Sequence, residues 1–322
     1  MTWESRFIND DALAAYAAQP ITDFPTRVAA LINQQLATWP QLGKATEALS
    51  QVQYKELTVK GSRMLAQFNP ARIVSTAAKV DTASIQARPC FLCAENFPTE
   101  EKSVPFGDHY VVLCNPFPVL KDHLVISERE HTPQAIAPRF EDLLDLTAAL
   151  GSQYFTLYNG PSCGASAPDH HHFQACNRAG IPLFDEVSHW PRTPLSSPTE
   201  LDAYSLDGYG LKILVASSAK KDTITAWFHE TVFDIAKATA ATAEPLLNLI
   251  VTHDPHCWTV YLFPRKQHRP SCYYAQGDNK LTVSPAGIDL TGILVVPDLN
   301  HFARLTATDV ERIYAEITLD LK

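Results

Sequence analysis

Apolar positions recur along the chain with two different periods. Over 24–39, Val28, Leu31, Ile32 and Leu36 fall near a three-to-four spacing, and Asp23 stands where a cap belongs. The first 60 residues therefore read as helical. From 61 to 130 the texture changes to short β-rich runs at 73–76, 109–115 and 123–127, punctuated by Pro and Gly. Phe140, Leu143, Leu144, Leu146 and Leu150 predict a helix over 139–157. A small-residue loop then leads into a strand-like run at 170–176.

The stretch 179–208 is rich in Pro, Ser and Asp and reads as a crossing between halves. Beyond it the texture repeats: strands at 212–217, 248–252, 258–264 and 292–297, with a helix near 222–242. A last helix starts at Thr306 and places Val310, Ile313, Tyr314 and Ile317 on one face, with Asp309 completing a capping box. The order of elements predicts an α+β protein with a structural duplication. Its expected parts are an N-terminal helical extension over 1–60, a first half over 61–190 and a second over 191–322.

Composition narrows the class. Apolar residues make up 46% and charged residues 19% of the 322, which suits a buried core. The balance of 26 basic against 35 acidic residues gives −9, the wrong sign for a dedicated nucleic-acid binder. No apolar run approaches the ~18–20 residues of a membrane span. The first residues lack a basic-then-apolar leader. Seven cysteines, an odd number, favour reduced thiols and a cytoplasmic setting. Neither GxxxxGK[ST] nor a strand-linked GxGxxG is present.

Two motifs carry chemistry. In a strand, His170, His172 and Gln174 would share one face, and His171, Phe173 and Ala175 the other. By itself the triple histidine also suits a solvated loop. Cys90 and Cys93, as C-x-x-C, supply half of a tetrahedral metal site, with His131 and His170 as candidates for the other half; two packed thiols without metal are the plain alternative. The basic run 265–269 reads either as a solvated hairpin end or as a phosphate clamp of Arg265, Lys266 and Arg269.

These residues carry a resemblance. Arg-Pro-Cys90-Phe-Leu-Cys93-Ala-Glu-Asn96 resembles the zinc knuckle of galactose-1-phosphate uridylyltransferases. Asn69-Pro-Ala-Arg72 with Lys79 is similar to their phosphate-contacting stretch, and 125–131 to the segment bearing their third zinc ligand. Asn159-Gly-Pro-Ser-Cys-Gly164-Ala-Ser166 leading to His170-His-His172-Phe-Gln174 resembles the H-x-H-x-Q strand they share with diadenosine tetraphosphate phosphorylases and GDP-hexose phosphorylases. All are of the transferase branch of the histidine-triad (HIT) superfamily. The whole chain is also similar to an uncharacterised Bacteroides-type family.

The resemblance implies two HIT-like halves with antiparallel sheets flanked by helices. It implies His172 as nucleophile, forming a nucleotidyl-histidine, with Gln174 on the transferred phosphate and His123 behind it. Arg72, Lys79, Asn159 and Ser166 would meet the phosphates. Cys90, Cys93, His131 and His170 would hold a structural zinc. The implied substrate is a nucleoside diphosphate-sugar or dinucleoside polyphosphate, with phosphate or a sugar 1-phosphate as acceptor and a monomer or homodimer as the assembly. Hydrolysis by the same histidine, or a non-catalytic nucleotide- or zinc-binding module, are the alternatives. The sequence departs from the uridylyltransferase pattern at His171, where that family has proline.

Overall fold

The computed structural model describes residues 2–73 and 82–321. Lys79, and the expected 73–76 strand beyond Ile73, lie outside the described residues. Among these residues two sheets form. β1 (Gln53–Val59) and β2 (Ser62–Phe68) make an antiparallel hairpin, and β13 (Ile293–Val296) joins β2 in parallel. The other sheet has ten strands, all antiparallel. They are β3 (Val104–Phe106), β4 (Tyr110–Cys114), β5 (Leu124–Glu128), β6 (Tyr154–Asn159) and β7 (His172–Asn177), then β8 (Arg192–Pro194), β9 (Asp202–Gly208), β10 (Leu211–Ser218), β11 (Leu247–Asp254) and β12 (Cys257–Pro264).

Strand order is β3-β4-β5-β7-β6-β11-β12-β10-β9-β8. Helix Phe140–Leu150 lies between β5 and β6, and helix Lys221–Thr239 between β10 and β11. Each half thus runs three strands, a helix and two strands, in the same spatial order. The halves meet where β6 pairs with β11, Asn159 opposite Asn248 and Phe155 opposite Thr252.

Side-chain alternation sorts the strands between two cores. Leu247, Leu249 and Val251 join Phe173, Ala175, Phe140 and Phe228 in the core beneath the helices, including helix Phe24–Thr38. Ile250, Phe155, Leu157 and Cys176 face the opposite way, onto the small sheet and the C-terminal helix Ala307–Ile317. Both predicted caps form. Asp23 accepts from the Thr26 amide, and Thr306 pairs reciprocally with Asp309.

Three stretches differ from expectation. The first, 179–208, expected as a crossing, carries β8 and β9 of the large sheet. The helix expected over 139–157 stops at Gly151 (φ 75°), and its apolar continuation becomes β6, buried along its whole length. Residues 53–59, expected to be helical, form β1.

Candidate active site

Four ligand atoms converge beside the start of β7. Cys90, Cys93, His131 and His170 place their Sγ and ring nitrogen atoms all within 4.8 Å of one another. Cys90 Sγ lies 3.3 Å and Cys93 Sγ 3.5 Å from His170 Nδ1, and Cys93 Sγ lies 3.3 Å from His131 Nδ1. Bonds of ~2.0–2.3 Å at tetrahedral angles put donors roughly 3.4–3.8 Å apart, so the set fits a small divalent cation. The outer atoms agree. His170 Nε2 donates to the Glu128 carbonyl at 2.8 Å, which leaves Nδ1 as the ligand. His131 Nε2 faces the Asp169 carboxylate at 3.8 Å, and the Leu92 amide donates to Cys90 Sγ at 3.4 Å. Burial, aided by Cys90, pushes the Cys93 thiol up to about 12. A bound cation is what reverses that balance.

The chain turns between His170 and β7, so His170 does not share a strand face with His172. Instead its carbonyl accepts from His172 Nδ1 at 2.9 Å. That bond fixes the tautomer and leaves Nε2 with its lone pair exposed for chemistry. His172 is 4% exposed, and burial pushes its ring down to about 4, so it is neutral at pH 7. Gln134, which carried no signal in the sequence, holds its backbone. The His172 amide donates to Gln134 Oε1 at 2.9 Å, and Gln134 Nε2 donates to the carbonyls of His172 and Asn159, both at 3.0 Å.

Gln174 is oriented by a chain of forced donors. The Val119 amide donates to His123 Nδ1 at 3.2 Å, so the proton of this neutral ring sits on Nε2. His123 Nε2 then donates to Gln174 Oε1 at 2.7 Å. The Gln174 amide nitrogen is therefore the group left for a ligand. Burial pushes His123 down to about 4, which keeps the arrangement intact at neutral pH. His171 faces away, edge-on to Phe173 at 4.7 Å, and both its ring nitrogens are buried without a partner.

His172 and Gln174 open into a cavity of about 670 Å³, which also takes in Arg72, Asn159, Ser166 and Arg269. The second half closes it: His268, Ser284 and Asp289 form that wall. Gly164 (φ +99°) makes the close approach possible, since a Cβ there would lie 2.5 Å from Ala286 Cβ. Arg269 Nε donates to Ser284 Oγ at 2.9 Å. Burial pushes Arg72 down, with Asp289 opposing. Arg88, from the knuckle, lines the same cavity and stacks over Phe91 at 4.6 Å.

Two members of the expected phosphate clamp stand elsewhere. Arg265 is buried and does not line the cavity; it donates to Asn248 Oδ1 at 2.5 Å and to the carbonyls of Gln267, His268 and Pro285. A strongly apolar strand delivers it into the interior, where carbonyls rather than phosphates meet its fork. Asn248 in turn donates to Asn159 Oδ1 at 2.8 Å, so Arg265 braces a cavity residue from behind. Lys266 is exposed, outside the cavity.

A domain of unknown function (DUF4922) matches residues 31–177. No curated protein matches the chain in sequence. In structure the chain is similar to yeast Ap4A phosphorylase Apa2 in complex with Ap4A, with a TM-score of 0.64 and 15% identity over 91% of this chain and 97% of that one. The same yeast enzyme in complex with AMP gives 0.59 and 15% over 89% and 96%. An ADP-glucose phosphorylase from Arabidopsis thaliana with bound ADP-glucose covers 84% and 99% at 15% identity, with a TM-score of 0.32. The likeness to the yeast enzyme is one of fold, and the α+β architecture of two antiparallel halves flanked by helices expected from the sequence is the one observed.

Proposed function

We propose that the protein is a nucleotidyltransferase of the phosphorylase type. His172 Nε2 attacks the α-phosphorus of a nucleoside diphosphate-sugar or dinucleoside polyphosphate. The N–P bond forms, the bridging P–O bond breaks, and the sugar phosphate or nucleotide leaves with the electron pair. Phosphate or a sugar 1-phosphate then attacks the phosphorus of the nucleotidyl-histidine, and the N–P bond breaks to return the neutral ring. The observation that carries this reading is the tautomer of His172, with Nδ1 tied to the His170 carbonyl and Nε2 left beside Gln174.

Gln174 offers an N–H to the transferred phosphate but has no proton to give a leaving group, which favours transfer to an acceptor over hydrolysis. Arg72, Arg269, Asn159, Ser166 and Lys79 are proposed as phosphate contacts, with Arg265 and Lys266 acting only through the loop that carries Arg269. Zinc is the proposed metal for Cys90, Cys93, His131 and His170; a closed site with two thiolates and two imidazoles suits it, and its part is to stiffen the turn before His172. The similar yeast protein binds AMP and Ap4A, which agrees with a nucleotide substrate. Seven unpaired thiols agree with a reducing, cytoplasmic setting.

The test is a chase with α-labelled nucleoside diphosphate-sugars and dinucleoside polyphosphates. We expect an acid-labile, base-stable adduct that disappears in His172→Ala and turns over when phosphate is added. Undiminished turnover in His172→Ala would sink the reading. Turnover that needs no phosphate would point to hydrolysis.

A further inference from the structure

The cavity has an end that phosphorus chemistry leaves unused. Glu101 lines it and is 5% exposed, yet among the described residues no hydrogen bond or ion pair reaches its carboxylate. Its oxygens are not fully enclosed, but a carboxyl this deep with only the Arg6 charge acting on it is costly and calls for an explanation. Its nearest cation, Arg6, is already engaged: the fully buried guanidinium donates to the carbonyls of Ala94 (3.3 Å), Phe97 (2.7 Å) and Pro98 (2.5 Å).

Glu101 is held there by design of the surrounding chain. The Glu101 amide donates to the Pro98 carbonyl at 3.2 Å, and Arg6 grips that same carbonyl. Buried Gln35, on helix Phe24–Thr38, clamps both neighbours. Its Nε2 donates to the Glu100 carbonyl, and its Oε1 accepts from the Lys102 amide, both at 3.0 Å. Trp39, one turn on from Gln35, Phe97 and Leu113 also line the cavity, so this end is apolar and aromatic around one acid. The N-terminal helices, which hold no part of the phosphate site, thus fix one carboxylate in a cavity that Trp39 and Phe97 also line.

The chemistry selects the ring. A carboxylate offers two acceptors side by side, and the matching partner presents two adjacent N–H donors. Guanine does so with N1–H and the N2 amine. Adenine presents a donor beside an acceptor. Uracil sets its N–H between two carbonyls. A protonated Glu101 can pair with any of the three. Only guanine meets the ionised carboxylate with two donors, so it alone gains two charge-assisted bonds. These favour it over the neutral pairs that adenine and uracil make.

Building on the proposed transfer chemistry, we propose that Glu101 reads the hydrogen-bonding edge of guanine, so that the group transferred by His172 is guanylyl. The test is calorimetric titration of the wild-type protein and Glu101→Gln with GMP, IMP, AMP and UMP. In the wild type GMP is expected to bind tightest, roughly 10-fold or more over IMP, which lacks the N2 amine, and further over AMP and UMP. In Glu101→Gln the GMP affinity should fall by ~10-fold or more while AMP changes little. AMP binding as tightly as GMP in the wild type, or a GMP preference retained in the variant, overturns the assignment. The wild-type series decides alone should the variant fail to fold. Binding of all four without preference sinks the role of Glu101 and leaves the transferase reading standing; binding of none sinks both.

Discussion

Replacing Glu101 by Gln should change how stability depends on pH, and the size of the change follows from where the residue sits. Burial lifts the carboxyl from an ordinary 4.5 to about 8, with Arg6 pulling the other way. Between those values the folded chain holds a proton that the unfolded chain has lost. Stability therefore falls as pH rises through this window, and the penalty is complete above pH 8. At 1.36 kcal/mol for each pH unit, the gap from 4.5 to about 8 sets a ceiling of about 5 kcal/mol, with about 3 already present at pH 7. Glutamine does not titrate. Urea unfolding of both proteins at pH 5, 7 and 9 should show the variant gaining on the wild type by about 3–5 kcal/mol across the series. The amide's own packing cost is independent of pH and shifts every point equally, so only the trend is diagnostic. A difference that stays flat within about 1 kcal/mol would refute the reasoning, because it would mean that Glu101 is ionised and satisfied in the folded chain.

Three further outcomes are expected. Arg6→Ala leaves three carbonyls on the knuckle loop, two of them buried, without their donor and should cost about 3–5 kcal/mol in denaturant unfolding; a loss under about 1 kcal/mol would show that the loop relaxes freely. Gln134→Ala releases the backbone of His172 and should lower kcat by ~10–100-fold with little change in KM for the nucleotide, whereas a rise in KM alone would place Gln134 in binding instead of positioning. Cys93→Ser should abolish binding of about one zinc per chain by elemental analysis and lower the Tm, and chelation should lower the wild-type Tm towards the same value; a variant that keeps its metal would break the ligand assignment.

What the sequence made legible was local. The Thr306–Asp309 cap, the apolar run of β12 and the Cys90/Cys93 pair each announce themselves within a few residues. Helix 139–157 was overrun because Tyr154, Phe155, Leu157 and Tyr158 continue an apolar run that suits a strand buried on both faces equally well. Arg265 reads like its neighbours in a basic run, and only the fold reveals that carbonyls surround it. Arg6, Gln35, Gln134 and Glu101 are single polar residues with no spacing to mark them. Arg6 meets its carbonyls 88 to 92 positions away, a relation no window along the chain displays.

The β6–β11 seam has a consequence for folding. Both strands are apolar and buried for nearly their whole length, and each supplies the other's only cover on that side. A chain cut between the halves would expose a long, mostly buried strand edge ready to pair with another copy. The seam also joins positions about 90 residues apart, so it closes only after most of the polypeptide exists. Until then the first half carries an open edge during synthesis, and its solubility rests on how quickly the second half arrives to complete the ladder.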